Sequence, residues 1–392
     1  MVKPGDRVKI LLISRNLPPL VGGMERLIQN LAEGLSDYTD LTVIGPRNCS
    51  QYLPGGTRVR EVPSRLGSFL VASTLAALTL RNRPRFDLVI GGSGITAPIL
   101  RIAALRFGCK STVLLHGLDI VVDNRLYQSL FVPNLKRIDF VVANSDNTRK
   151  LAIGCGIEPC RIAVINPGVE EVAPPNPATS TDFRQKLGIP FNRYLLFVGR
   201  MTKRKGLSGF MRDSLPQILE RIPDIGLVVV GDDPSHGLDG RGELGEVHAA
   251  LGEMALQDKV RFTGQITDED LDNCYRGAEV LVLPLIDVPG DVEGFGMVAI
   301  EAAARGTPTV AFRLGGVADA ISRDNGELVS AGDYCAFTDA VCRVATTGNP
   351  DSNRCLAHSV KFHWRRYHAR VRDIIWRITG MDSKVSKQVA ES

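Results

Sequence analysis

The chain has 392 residues, of which 44% are hydrophobic, and its formal net charge is only +4 at neutral pH. This length exceeds what one core comfortably holds, so two domains are expected, and the absence of a nucleic-acid motif argues against a nucleic-acid partner. The eight cysteines lack a C-x-x-C pair or metal-type spacing, which predicts reduced thiols, no metal site and a cytoplasmic location.

Short apolar runs typical of buried strands recur through the first half of the chain, with helical or loop-like stretches between them. They cover residues 8–13, 41–44, 86–90, 112–115, 140–143 and 162–165. This alternation predicts an α/β domain over residues 1–171, in which a doubly wound, Rossmann-like parallel sheet carries helices on its faces.

A proline-rich stretch after residue 171 predicts a link between domains, because repeated prolines interrupt helices and strands. The apolar runs then resume at 194–198, 226–230, 259–262, 280–283 and 309–312. A second Rossmann-like domain is therefore expected over residues 172–357. The remainder, 358–392, mixes aromatic and basic residues at helical spacing, which predicts a terminal helix and a polar tail. Its apolar face would contain Phe362, Tyr367, Val371, Ile374 and Ile375.

The segment Glu293–Glu301 combines two acids with a glycine-broken loop and an alanine-rich helical run. Gly294 and Gly296 let the backbone approach a ligand, and the N–H groups where the helix begins can face a phosphate. The two acids can be no more than about 12 Å apart along a helix. That reach suits hydroxyl groups on both sides of a diphosphate. An ordinary helix start with a glutamate near its positive end is the alternative.

Two further clusters follow predicted strands, which is where open α/β sheets bind ligands. Gly22 and Gly23 precede an amphipathic helix, so their backbone amides can meet a phosphate or sugar, although a tight turn explains them equally. Arg200 and Lys205 follow the run 194–198, and such cations can neutralise a diphosphate without a metal ion. A solvated charged surface is the alternative interpretation there.

His116 comes directly after the run 112–115, where a polar side chain at the end of a strand faces the crevice. Both a structural role and a ligand contact fit this placement. In the second case, His116 would contact a sugar hydroxyl or a developing charge.

The first 170 residues are basic, with 21 Lys+Arg against 13 Asp+Glu. The near-apolar run 69–80 is too short to cross a bilayer and is bracketed by Arg65, Arg81, Arg83 and Arg85. An anionic membrane surface and a solvated helix end are both consistent with this pattern.

These motifs occur in an order and spacing that are specific, although each is unspecific alone. They are Pro18-Pro19, Gly22-Gly23, Glu25, His116-Gly117, Asn166-Pro167-Gly168, Gly199-Arg200, Lys205-Gly206, Gly231-Asp232, Phe262-Thr263-Gly264, Pro284, the Glu293/Glu301 pair and Gly315-Gly316. Together they resemble the retaining glycosyltransferases of family 4, which have the GT-B fold and use a nucleotide diphosphate sugar. The resemblance spans nearly the whole chain.

The resemblance implies how these residues share one donor. Arg200 and Lys205 would hold the diphosphate, Glu293 would bind hydroxyls of the transferred sugar, and Glu301 would hold the ribose. His116 would approach the sugar and help to stabilise the transition state.

The other implied donor contacts are mainly backbone contacts, at Gly22, Gly23, Gly231, Gly264, Gly294, Phe295 and Gly296. Gly22 and Gly23 would close over the phosphates, and Phe262 with its neighbouring backbone would accommodate guanine or uracil. The last helix would return to the N-terminal domain.

The implied reaction moves a hexosyl unit, mannose-like by preference, to a saccharide or lipid-linked saccharide in cell-envelope polysaccharide or glycolipid synthesis. The donor would be a GDP-sugar or, second, a UDP-sugar, and no metal or other cofactor is implied. The leaving phosphate would take the acceptor proton, and Glu293 would bind rather than act as a nucleophile. Two departures are Val317-Ala318-Asp319 in place of Pro then Glu, and Asn166-Pro167-Gly168 in place of Asn-Gly.

Two other functions are each consistent with part of the sequence. The segment Gly92–Ala97 satisfies the dinucleotide pattern G-x-G-x-x-A, but no acid follows in residues 110–117 to hold a ribose, which disfavours an NAD(P)-dependent oxidoreductase. A non-catalytic sugar-nucleotide binder would more plausibly have lost Arg200, Lys205, Glu293 or His116, and all four are present.

Overall fold

The computed structural model describes residues 7–80, 85–172, 182–232 and 243–381, and it divides into two compact units. Unit 1 consists of the chain up to Gly168 together with the part from Trp364 onward, and unit 2 is Val169–His363. Most of the proline-rich link predicted after residue 171 lies outside the described residues.

The strands of the described ranges are β1 (Val8–Ile13), β2 (Thr39–Pro46), β3 (Arg58–Val62), β4 (Leu88–Gly91), β5 (Lys110–Leu115), β6 (Phe140–Ala143), β7 (Ile162–Val164), β8 (Arg193–Val198), β9 (Ile225–Val230), β10 (Val260–Gly264), β11 (Val280–Leu283), β12 (Thr309–Phe312) and β13 (Gly326–Val329).

The α-helices of the same ranges are α1 (Gly23–Ser36), α2 (Leu66–Thr79), α3 (Ala97–Phe107), α4 (Leu118–Val121), α5 (Arg125–Leu130), α6 (Val132–Leu135), α7 (Asp146–Gly154), α8 (Asp182–Leu187), α9 (Leu207–Asp213), α10 (Leu215–Arg221), α11 (Leu244–Glu253), α12 (Asp268–Gly277), α13 (Met297–Ala303), α14 (Val317–Ala320), α15 (Tyr334–Thr347), α16 (Ser352–Ser359) and α17 (Trp364–Thr379).

Each unit is built on one parallel sheet. Unit 1 has the strand order β3-β2-β1-β4-β5-β6-β7, and unit 2 has the order β10-β9-β8-β11-β12-β13. All neighbouring strands are parallel. The strand order reverses beside β1 in unit 1 and beside β8 in unit 2, and the loops that diverge there leave a crevice. The predicted pair of doubly wound domains is confirmed.

Both faces of the unit 2 sheet are covered, which explains why its strands read as unbroken apolar runs. Leu195 and Phe197 of β8 pack into one hydrophobic cluster. Tyr194 and Leu196 point to the opposite face and pack into another. All four side chains are fully buried.

The last helix, α17, packs in unit 1 against α1, as predicted. A Cβ on Gly34 of α1 would lie 2.5 Å from the His368 ring, so glycine permits this close approach. The His368 ring nitrogen Nε2 is hydrogen-bonded to the Asn30 carbonyl at 2.9 Å. Phe362 was wrongly placed on this helix: it precedes α17 and belongs to unit 2, where its ring centroid lies 5.7 Å from that of Phe295.

Candidate active site

Three glycine-containing strand ends meet at the carboxyl edge of the unit 2 sheet. Gly199 follows β8, Gly231 follows β9 and Gly264 ends β10. The Gly231 N–H donates to the Gly264 carbonyl at 3.0 Å, and a Cβ on Gly231 would lie 2.2 Å from the Gly199 carbonyl oxygen. Because no side chain fits there and φ is +121°, residue 231 must be glycine for this edge to form. Ligand contact by Gly231 and Gly264 stays a prediction.

The cations after β8 form a short 3-10 turn, Lys203–Lys205, which is tied to the loop after β11. Gly206 has a φ of +66°, and a Cβ there would lie 1.9 Å from the Pro284 carbonyl oxygen. The Ile286 N–H donates to the Arg204 carbonyl at 2.9 Å. This close approach of the two loops leaves Lys205 only 7% exposed.

Four charged side chains meet where these loops converge, and we call them the charge cluster: Arg204, Lys205, Asp291 and Glu293. Lys205 Nζ donates to Glu293 Oε2 at 2.7 Å, and Arg204 Nη1 donates to the same oxygen. Arg204 Nε donates to Asp291 Oδ1 at 2.9 Å. The side chains are between 9% and 18% exposed, so water screens these contacts only weakly.

Burial and charge oppose each other in the charge cluster. Burial by itself raises the pKa of Glu293, but Arg204 and Lys205 outweigh it and lower that pKa from 4.5 to about 2. Burial lowers the pKa of Lys205, and the neighbouring Glu293 only partly reverses this shift. Glu293 is therefore ionised at neutral pH, and its negative charge favours the protonated form of Lys205.

Gly315 and Gly316 contact the backbone of the loop that carries Glu293. The Gly316 N–H donates to the Glu293 carbonyl at 2.8 Å. A Cβ on Gly315 would lie 2.4 Å from the same carbonyl oxygen. The residues of this pair therefore fix the backbone position from which the Glu293 side chain extends.

The next three residues lead into α13, as predicted. Gly296 has a φ of +84° and directly precedes the helix. The Phe295 side chain is buried in the core of unit 2, so only its backbone amide can face a ligand. Gly294 is partly buried between Glu293 and Phe295. These backbone groups stay predicted phosphate contacts.

Glu301 and Phe262 already have protein partners. Glu301 is 8% exposed, and its Oε2 accepts the Tyr275 hydroxyl at 3.0 Å. The Phe262 ring lies 5.9 Å from the His248 ring and packs against the core. These positions neither confirm nor contradict the predicted contacts of Glu301 with the ribose and of Phe262 with the base.

Arg200 differs from the other predicted phosphate ligand, Lys205, because its side chain is exposed. It lies close enough for its charge to lower the pKa of Lys205. None of the ion pairs within the described ranges includes Arg200. Among the described residues, its guanidinium therefore has no carboxylate partner to leave before it meets an anionic ligand.

In unit 1, the backbone around β4 and β5 fixes the His116 ring. His116 is 5% exposed, and its Nε2 lies 2.8 Å from the Gly92 carbonyl oxygen. Since a carbonyl only accepts, Nε2 carries a hydrogen in this contact. Asp119 Oδ2 accepts the N–H groups of Gly94 at 2.9 Å and of His116 at 3.3 Å. The segment that matched a dinucleotide pattern thus orients His116.

Gly22 and Gly23 lie exposed where α1 begins. A Cβ on Gly22 would lie 2.5 Å from Glu25 Oε2, while Glu25 Oε1 accepts the Asn16 side-chain amide at 2.9 Å. Glu25 therefore joins the first turn of α1 to the loop after β1. The two glycines leave the backbone open to solvent beside it.

Sequence reasoning missed the roles of Arg204, Asp291 and Asp119. Spacing offered a signal, because Asp291 precedes Glu293 by two residues and Asp119 follows His116 by three.

Over the described ranges, no three His, Cys, Asp or Glu residues are grouped to hold a metal ion. In the same part of the chain, no helix has both the length and the apolar character needed to cross a membrane.

The fold is that of the GT-B glycosyltransferases, as the similarity to solved structures shows. The HepE protein of Anabaena, solved with UDP-glucose, matches with a TM-score of 0.76 at 20% identity, over 94% of this chain and 99% of that chain.

Family models and relatives carry the comparison further. The model described as Glycosyltransferase Family 4 matches residues 21–171, and that described as Glycosyl transferases group 1 matches 192–347. D-inositol 3-phosphate glycosyltransferase 2 of Catenulispora acidiphila is 32% identical, over 94% of this chain and 89% of the relative. D-inositol 3-phosphate glycosyltransferase of Acidothermus cellulolyticus is 30% identical, over 78% of this chain and 70% of the relative. The chain belongs to the family 4 glycosyltransferases and is a glycosyltransferase, which confirms the resemblance.

Proposed function

We propose that the enzyme moves a hexosyl unit from a nucleotide diphosphate sugar to a hydroxyl of its acceptor, with retention at the sugar carbon. The charge cluster at the switch point of unit 2 carries this proposal, because it combines a buried ammonium with an ionised carboxylate. An ammonium suits a diphosphate, and a carboxylate that accepts hydrogen bonds suits sugar hydroxyls.

In the proposed complex, Lys205 and Arg200 contact the diphosphate, and Glu293 accepts hydrogen bonds from the sugar. The exposed guanidinium of Arg200 and the position of Lys205 in the turn after β8 support these roles. Glu301 would hold the ribose, with the backbone of Gly294–Gly296 at the phosphate. The family resemblance supports these two assignments.

The reaction breaks the bond between the sugar carbon and the diphosphate oxygen and forms one to the acceptor oxygen on the same face. The bonding electrons leave with the phosphate, which then takes the acceptor's proton. Fixed cations stabilise the charge that develops on the departing oxygen. His116 would stabilise the positive charge on the sugar.

We propose that transfer needs no metal ion, since side-chain cations supply the charge that a divalent ion provides in other enzymes. Turnover after exhaustive chelation should equal that of the untreated enzyme. Loss of turnover on chelation, with recovery on adding a divalent cation, would contradict this.

For the donor, GDP-mannose remains our first candidate and UDP-hexoses the second. The UDP-glucose complex of Anabaena HepE supports the second candidate. Release of nucleoside diphosphate should be measured with purified enzyme across GDP-mannose, UDP-glucose and UDP-galactose, each with and without acceptor. Analysis of the product's anomeric configuration tests retention. Absence of turnover with every nucleotide sugar would reject the proposal.

The acceptor we propose is a saccharide or lipid-linked saccharide of the cell envelope, such as a lipopolysaccharide precursor. A second candidate is D-inositol 3-phosphate, because relatives at 30% and 32% identity carry that name. Competition assays with both acceptor classes at a saturating donor concentration distinguish the two. Transfer to inositol phosphate alone would rule out the first candidate.

We also propose that an anionic membrane surface, on the cytoplasmic side, meets one face of unit 1. The face contains exposed side chains of the adjoining helices α2 and α3: Val71 at 64%, Leu75 at 56%, Ile102 at 39% and Leu105 at 75%. Between residues 62 and 118 the chain has seven Lys+Arg and a single acid, Asp87. Apolar side chains with surrounding cations suit an anionic bilayer. Arg81 and Arg83 of this predicted surface lie outside the described residues.

Vesicle flotation tests this surface directly. Binding to phosphatidylglycerol vesicles, but not to phosphatidylcholine vesicles, should be lost in Leu75→Ser/Leu105→Ser and kept in Leu356→Ser, an exposed leucine of unit 2. Unchanged vesicle binding in the double variant would overturn the proposal. A change from dimer to monomer, measured by sedimentation, would instead assign the face to a second copy of the chain.

A further inference from the structure

We propose that Arg204 and Asp291 form a clamp that holds Glu293 in place for the donor sugar while Lys205 turns to the diphosphate. This inference rests on the proposed function and names two positioning residues for it. Neither residue is assigned a donor contact above.

Glu293 has more cationic partners than it can keep once a donor binds. Lys205 Nζ and Arg204 Nη1 both donate to its Oε2. A diphosphate brings additional negative charge to the same place, and a buried ammonium with a lowered pKa gains from a second anion. One cation can therefore serve the phosphate, provided that the other stays on the carboxylate.

Arg204 is the cation that we expect to remain bound to Glu293. Its Nε donates to Asp291 Oδ1 at 2.9 Å, so the guanidinium spans two carboxylates. Its carbonyl accepts the Ile286 N–H at 2.9 Å, which anchors its backbone to the loop after β11. The planar guanidinium has donors in a fixed fork, whereas Lys205 has one nitrogen on a flexible stem.

Asp291 is itself placed by the backbone. Its N–H donates to the Val288 carbonyl at 3.0 Å, and Gly290 adopts a φ of +79° within that turn. The Asp291 side chain is only 18% exposed. The turn thus places the Asp291 carboxylate beside the Arg204 guanidinium, where its negative charge balances the second positive charge of the charge cluster.

The clamp acts on the sugar part of the donor and not on the nucleotide. Without it, Glu293 would follow Lys205 or rotate, and its hydrogen bonds to sugar hydroxyls would be lost. Loss of a hydrogen bond to a charged group weakens binding by about 10- to 100-fold. A nucleoside diphosphate without sugar makes no hydrogen bond to Glu293, so its affinity should fall less: it loses only the ease with which Lys205 leaves the carboxylate.

The test compares Arg204→Gln and Asp291→Asn with wild type by calorimetric titration with the nucleotide sugar and, separately, with its nucleoside diphosphate. We expect each variant to bind the nucleotide sugar about 10- to 100-fold more weakly, and to lose clearly less affinity for the diphosphate. Arg204→Lys keeps the charge but cannot span both acids, so its loss should be smaller than that of Arg204→Gln.

Glu279→Gln is the matched control. It removes the acid of the Arg193–Glu279 ion pair, which lies at the amino ends of β8 and β11 in the same sheet. It should bind both ligands as wild type does. Equal losses for both ligands in the Arg204 and Asp291 variants, or no loss for either, would overturn the clamp. If wild type binds neither ligand, the proposed function fails first; if only the clamp is wrong, wild type still binds both.

Discussion

The carboxyl edges of the two sheets hold their acids in different ways. In unit 2, Glu293 and Asp291 contact the side-chain cations Arg204 and Lys205. In unit 1, Asp119 contacts backbone N–H groups. A long cation can exchange one anion for another, whereas bonds to backbone amides fix a shape. The two edges share a strand arrangement, so side chains rather than topology distinguish the edge that we propose for phosphate from the edge that orients His116.

The largest effect should come from removing the buried ammonium of unit 2. We expect Lys205→Ala to lower kcat/KM by about 1,000-fold, because the ammonium that we propose contacts the departing phosphate is lost. Lys203→Ala is the matched control: its side chain is exposed in the same turn, and its activity should stay near that of wild type. Similar losses in both variants would indicate general disruption of the turn.

The pH dependence of stability should reveal the ion pairs of unit 2. The pKa of Glu293 is lowered from 4.5 to about 2 in the folded state, so its stabilisation is fully present above about pH 5. It is lost as the pH falls through 4.5 towards 2, and it amounts to at most about 3 kcal/mol. Urea unfolding of wild type and Glu293→Gln should therefore show a difference that shrinks below pH 5. A constant difference from pH 7 to pH 3 would contradict the assignment.

For unit 1, we expect His116→Ala to lower kcat about 100-fold while the Kd for the donor nucleotide changes little. Asp119→Asn should have a smaller effect, because it weakens only the bonds that join the His116 turn to Gly94. Pre-steady-state kinetics and titration with nucleoside diphosphate separate the two quantities. An equal loss of nucleotide affinity would mean that His116 also contributes to nucleotide binding.

The smallest effect concerns the backbone that joins the two loops of unit 2. Gly206→Ala should destabilise the protein by about 2 kcal/mol, because residue 206 has a positive φ and lies against the Pro284 carbonyl. Gly252→Ala in α11 faces open space and should remain within about 1 kcal/mol of wild type. Thermal unfolding of both variants checks this contrast. Equal midpoints would show that the contact at Gly206 is not tight.

The apolar runs predicted eleven strands at nearly their observed positions, because a parallel sheet covered on both faces requires continuous apolar sequence. β3 and β13 were missed. In β3, residues Arg58, Arg60 and Glu61 are exposed, so this edge strand has no apolar run. β13 has only four residues and includes Gly326 and Glu327. Edge strands bury one face at most, which leaves a weak signal.

Sequence alone determined the two α/β domains, the glycine positions at strand ends and the set of charged residues, because these follow from local periodicity and backbone geometry. Tertiary structure decided which cation contacts which acid. Arg204 and Glu293 are 89 positions apart in sequence. They meet only because β8 and β11 are neighbours in the sheet. Charge pairing over such separations depends on the sheet order, and no local pattern encodes that order.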